Sequence, residues 1–187
     1  MNPGPVPGFF FAWRGRLRHS LLMRFLVFVT FILSGPAFAS DACHDLWFTR
    51  NLIFDRVGFC FASPLGQAVF DNGDCSTRTP VLSAEQTATI TRIKEREAWF
   101  ECAVDTADTE LLLDMPALRM SLQTLPVLDT YESACIGWRG PVLPLFSGVA
   151  EGARQIAEVR PGDMLLFEYE YRDPFSFVSV LRDNQVV

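Results

Sequence analysis

Lysine is almost missing from this chain: Lys94 is the only one in 187 residues. Histidine is nearly as scarce, with His19 and His44 alone. The 16 Lys and Arg are outnumbered by 22 Asp and Glu. These shortages exclude functions. A nucleic-acid binder needs a concentrated positive face for phosphate contacts, and this chain has no Lys/Arg cluster to make one. A zinc centre needs three or four ligands in one set, more than a lone histidine and disulfide-committed cysteines supply. There is no C-x-x-C pair for redox chemistry. "DNGD" (71–74) lacks the spaced ligand series and distal Glu of a calcium loop. It reads as a turn, because Asn and Gly tolerate positive φ at little cost. No metal and no cofactor are expected. The longest apolar run also falls short of the roughly 20 residues that a membrane-spanning helix requires. No internal repeat is visible.

What is present begins with a leader pattern. Arg14, Arg16, Arg18 and Arg24 form a basic flank before "FLVFVTFILSG" (25–35). The run closes on "PAFAS", where Ala37 and Ala39 bracket Phe38. That is a secretory signal over residues 1–39, with cleavage expected between Ala39 and Ser40. Met23 would itself make a compact start for such a signal. No Leu or Val stands three positions before Cys43, which argues against a lipid anchor. Four of the Arg and none of the acids precede Ser40, so the balance from Ser40 onward is −10 over 148 residues. The expectation is a periplasmic or secreted protein with no stable membrane span after signal removal.

All five cysteines (Cys43, Cys60, Cys75, Cys102, Cys135) lie beyond the leader, where an exported chain uses them as a disulfide framework. The odd one can be any of the five, and four cysteines pair in three ways. Position favours two bridges. Cys43 precedes the first expected helix and Cys102 follows the second, so a bridge would tie the module's ends. Cys60 and Cys75 flank the DNGD turn. Cys135 is then a free thiol in a strand.

Hydrophobic spacing divides the remainder. From Asp45 to Val57 the apolar residues Leu46, Trp47, Ile53, Phe54 and Val57 fit a helical stripe, with Asp41 or Asp45 near its start and Gly58 as an αL cap. Ser83 and Gln86 form a capping box for a second helix running to about Phe100, with Ile90, Ile93 and Trp99 available to the core. "AVDTADTE" reads as a linker, and Pro116 interrupts a short helical turn. From Pro126 short β-type runs alternate with turn signals. The expected fold class is α+β: a small disulfide-stabilised, mainly helical module (40–103), a linker (104–115), and a small antiparallel β domain (116–187).

"DLWFTRNLIFDRVGFCF" resembles the YARHG domain, a bacterial extracytoplasmic module. Leu46, Trp47, Arg50, Asn51, Ile53, Gly58, Phe59 and Phe61 carry the resemblance. The five residues that name the family stand here as Phe54, Asp55, Arg56, Val57 and Gly58. The family's His is therefore Val57, and no role resting on it carries over. "SACIGWRGP" and "VRPGD" resemble the uncharacterised domain that follows YARHG modules in some exported proteins. That domain is in turn similar to a bacterial Src-homology-3-like (SH3-like) barrel. The resemblance implies cell-wall association and no established enzymatic activity.

Trp47, Arg50, Asn51 and Phe54 share one helix face by their i, i+3, i+4, i+7 spacing. As scaffold, Trp47 and Phe54 are core, Arg50 caps carbonyls or stacks on an aromatic, and Asn51 holds the returning "GFCF" segment. As a site, Trp47, Arg50 and Asn51 form a sugar or peptide platform. No catalytic set is expected. His44 adjoins Cys43, but neighbouring side chains on a helix diverge by about 100°, and a bridged cysteine is no nucleophile. The acids of "EYEY" read as one solvated strand face. The functional expectation is a non-catalytic exported binding module of the cell envelope recognising peptidoglycan or another cell-wall component. The alternatives are a protein–protein adaptor, marked by an exposed patch including Trp138, Phe146, Phe175 and Phe177, or an envelope hydrolase or its accessory subunit.

Overall fold

The structure, a computed structural model, describes residues 37–187. The expected signal lies outside the described residues as far as residue 36. Helix α1 (Ala37–Asp55) begins before either Asp41 or Asp45, the two starts read from the sequence. It is buried on two sides, as a helix with apolar residues around most of its circumference must be. Trp47, Phe48 and Leu52 join Phe61, Leu65 and Phe70 in one cluster. Leu46 and Ile53 join Ile90, Ile93 and Val127 in a second.

The chain leaves α1 through Gly58, whose φ is +76°. A Cβ there would stand 2.3 Å from Ser76 Oγ. The Gly58 carbonyl accepts the Ser76 and Thr77 amides at 2.8 and 3.0 Å, which pins the returning loop. Helix α2 (Pro64–Val69) and a 3-10 turn (Asn72–Asp74) then fold Phe61 and Phe70 against α1. Helix α3 (Ala84–Trp99) carries the expected capping box: Ser83 Oγ accepts the Gln86 amide, and Gln86 Oε1 accepts the Ser83 amide. Trp99, read as core, is instead 71% exposed. It stands about nine residues after Ile90, half a turn out of phase with the buried stripe.

Two bridges close this helical part. Cys43–Cys102 joins α1 to the chain just after α3, and Cys60–Cys75 closes the loop between α1 and the 3-10 turn. Cys135 is free and half-buried. Residues 104–115, expected as a linker, lay Val104, Leu111 and Leu113 on the first cluster. Pro116 opens helix α4 (Pro116–Ser121) rather than interrupting one, since the first helical turn needs no proline N–H.

The β part comprises β1 (Leu128–Cys135), β2 (Leu143–Phe146), β3 (Gln155–Val159), β4 (Met164–Tyr169), β5 (Ser179–Arg182) and β6 (Gln185–Val186). The order β1-β4-β5-β6 makes one antiparallel sheet and β2-β3 a second. The pieces "CIGW" and "RPGD" meet: the Trp138 amide donates to the Asp163 carbonyl at 2.7 Å, and the Gly162 amide to the Trp138 carbonyl at 2.8 Å. Buried Asp163 accepts from the Arg160 amide and the Arg182 guanidinium. Only Val159, Leu165 and Val180 form a buried cluster here. The fold is α+β, with a firm helical core and a thin β core.

Each bridge restricts the unfolded chain, and by loop entropy the Cys60–Cys75 link, spanning 15 residues, contributes about 3 kcal/mol. Cys60→Ser or Cys75→Ser is therefore expected to lower the melting temperature by about 6–12 °C. An unchanged calorimetric midpoint would count against the bridge.

Candidate functional site

Of the residues read from the helix motif, Trp47 and Asn51 are buried and Arg50 is half-buried. Trp47 is 6% exposed and packs near the Phe70 ring. Asn51 is buried, and its amide donates to the Trp47 carbonyl at 2.7 Å, one turn back on α1. It does not hold the "GFCF" segment; Asn72 does. Asn72 Oδ1 accepts the Phe61 amide at 3.0 Å and its Nδ2 donates to the Phe61 carbonyl at 2.8 Å. Arg50 neither caps a carbonyl nor stacks on an aromatic. Its Nε donates to Glu97 Oε1 at 2.9 Å, clamping α1 to α3. Phe54 bridges both helical clusters. These side chains build the scaffold.

A different residue of the same helix reaches a candidate site. Asp45, expected near the helix start, lies mid-helix and is 5% exposed. Its Oδ2 accepts from Arg119 Nη1 at 2.5 Å and from the Tyr169 hydroxyl at 3.0 Å. Arg119 Nη2 donates to the Tyr169 oxygen at 2.9 Å, and its Nε to the Asp114 carbonyl. Thr49 Oγ1 donates to Asp45 Oδ1 at 3.4 Å. Helix α1, helix α4 and strand β4 thus converge on one carboxylate. Burial works against the Arg119 charge, but Asp45 and Tyr169 outweigh it and hold the guanidinium above its ordinary value. Burial first, then the Asp45 charge, push the Tyr169 phenol above its ordinary 10.0, although Arg119 opposes this. A second junction stands beside it. Arg92 and Arg96 of α3 bind Glu170, and Arg96 also binds Asp129.

This cluster helps to line a groove of about 1190 Å³. Leu111, Leu113 and Leu118 contribute one wall, and Leu145, Ile156 and Leu166 contribute another from both sheets. Phe146 and Phe175 line it while about half exposed, at 49% and 48%. Nothing in local spacing announces it, because Asp45 is 74 residues from Arg119 and 124 from Tyr169. Among the described residues no group of His, Cys, Asp and Glu is placed to hold a metal ion.

Two substitutions probe the scaffold and the junction. Arg50→Ala is expected to cost no more than about 1 kcal/mol, since the pair is partly solvated, and to leave groove binding unchanged. Asp45→Asn leaves a buried guanidinium uncompensated and is expected to cost about 3 kcal/mol in denaturant melts. The Tyr169 shift has a sign. A phenol whose folded pKa is raised contributes stability that is complete below pH 10.0 and is lost as pH climbs through the folded value. Tyr169→Phe should therefore flatten the alkaline limb of the stability–pH curve, and an unaltered limb would refute this.

Residues 32–98 match the model of the YARHG domain, reaching further toward the N-terminus than the stretch that carried the resemblance. Residues 101–187 match the model of a domain of unknown function, DUF4453. No curated protein and no solved structure matches the chain. Two disulfides and the YARHG match are consistent with an extracellular location, and among the described residues no helix is long and apolar enough to cross a membrane. The chain carries a YARHG domain followed by a DUF4453 domain.

Proposed function

We propose that this chain is an exported, non-catalytic binding module of the bacterial cell envelope, acting in the periplasm or after secretion, with the groove as its ligand site. One observation carries the reading: an opening of about 1190 Å³ walled mostly by aliphatic and aromatic side chains of residues 100–187, with Ala42 and Asp45 reaching it from α1. Open apolar surface on this scale marks an interaction site more often than an accident of packing. The β segment is read as an SH3-like barrel whose two sheets stop short of closing around that space.

Structural ties on the acids support a non-catalytic role. Glu170 is bound by Arg92 and Arg96, and Glu168 accepts the Ser179 hydroxyl at 3.0 Å. Neither is poised as a free acid or base. Of the aromatics that would mark an adaptor, Phe146, Phe175 and Phe177 line the groove, whereas Trp138 packs against the β core. A polypeptide partner with apolar side chains fits this lining best. A peptidoglycan component is the second reading, supported by the family resemblance.

The test is binding with and without the groove aromatics. Purified residues 40–187 are co-sedimented with isolated peptidoglycan sacculi at two salt concentrations, and titrated with the neutral apolar dye Nile red. The groove reading expects dye binding that Phe146→Asp and Phe175→Asp abolish with little change in melting. Sedimentation at both salts would favour the wall component, and none at either salt would leave the polypeptide partner. A wild-type protein that binds neither dye nor sacculi would overturn the proposal.

A further inference from the structure

We infer that the groove takes an extended, cationic polypeptide segment that adds as a strand along the free edge of β1; this rests on the groove being the binding site. Two independent features lead there. The first is backbone geometry. β1 stands at the margin of its sheet, with β4 as its one neighbour. It pairs at Leu128 with Tyr169 and again from Ser133 to Cys135 with Phe167 to Leu165, and the register shifts between. Leu128 to Glu132 line the groove as five consecutive residues. The run coincides with the register shift, where β1 bulges out of its pairing with β4 and leaves backbone groups without a strand partner. Apart from the Thr130 amide, which donates to Asp129 Oδ1 at 2.7 Å, that edge offers amide and carbonyl groups, the template that strand addition uses.

The second feature is charge. The groove lining contains Asp45, Asp114, Asp129, Glu132 and Glu168, against Arg119 as its one basic residue. Arg119 is neutralised by Asp45, and Arg96 answers Asp129. No cation among the described residues pairs with Asp114, Glu132 or Glu168. A rim of this sign repels anionic occupants, including phosphate headgroups and a second copy of this acidic chain. It favours a segment whose Lys or Arg meets the acids while its alternate apolar side chains enter the groove. Backbone pairing would supply affinity, and the alternating side chains would supply selectivity.

The experiment uses residues 40–187 with three fluorescein-labelled probes. One short peptide alternates lysine with valine, one alternates glutamate with valine, and one is the lysine peptide N-methylated at alternate residues. In anisotropy titrations the lysine peptide is expected to bind at least about tenfold tighter than the glutamate peptide, a difference of about 1.4 kcal/mol. N-methylation is expected to cost a similar factor. The double variant Asp114→Lys with Glu132→Lys changes two exposed side chains, so it should fold normally and reverse the preference. Equal affinity for both charges, or indifference to N-methylation, would overturn the inference. Nile red binding separates the two levels: dye bound without peptide discrimination overturns only this inference, while loss of both overturns the groove reading as well.

Discussion

The most buried of the ion pairs that join the two halves of this molecule centres on one carboxylate. Asp45 sits in the middle of α1, where an unpaired charge would be costly, and its partners come from α4 and β4. Arg119 also grips the Asp114 carbonyl, so the same guanidinium fixes the chain entering α4. The orientation of α4, and with it one wall of the groove, follows from this contact. Arg92 and Arg96 repeat the arrangement from α3, reaching Asp129 and Glu170 on the β side. Val127, just before β1, is buried in a helical cluster and adds an apolar anchor.

The two parts differ in how they hold together. The helical part has two apolar clusters around α1, a clamp from Arg50 to Glu97, and two covalent bridges. The β part has three buried apolar residues and relies on Asp163, which ties the Arg160 turn to Arg182. A small core of this kind contributes little stability by itself. Docking onto the helical part therefore stabilises the sheets, and the space between them stays open because α4 and the 111–115 segment form a wall instead of filling it.

Local chemistry made much of the fold legible. The capping box at Ser83 and Gln86 and the αL glycine at 58 are short-range devices, and each stands where its spacing placed it. The elements that the cysteines flank favoured the pairs Cys43–Cys102 and Cys60–Cys75 without choosing them, and the structure has both. What local spacing missed was long-range or phase-dependent. Trp99 is apolar but out of phase, and composition alone favoured burying it. Asp45 resembles a cap because acids are common in a first turn, and only the earlier start of α1 makes it an interior charge. The Arg-Asn pair of the opening motif reads from its spacing as scaffold or as platform alike, and only the folded partners show each side chain held within the helical scaffold. The groove was illegible for the same reason: its walls meet only after the chain has folded.

That the walls belong to different segments couples recognition to assembly. A ligand seated against both can bind only the docked arrangement, so occupancy and docking are thermodynamically linked. At a free concentration of a hundred times its Kd, such a ligand would favour the docked form by about 2.7 kcal/mol. The thin β core would then be reinforced by whatever it captures, making the protein stiffer when loaded than when empty.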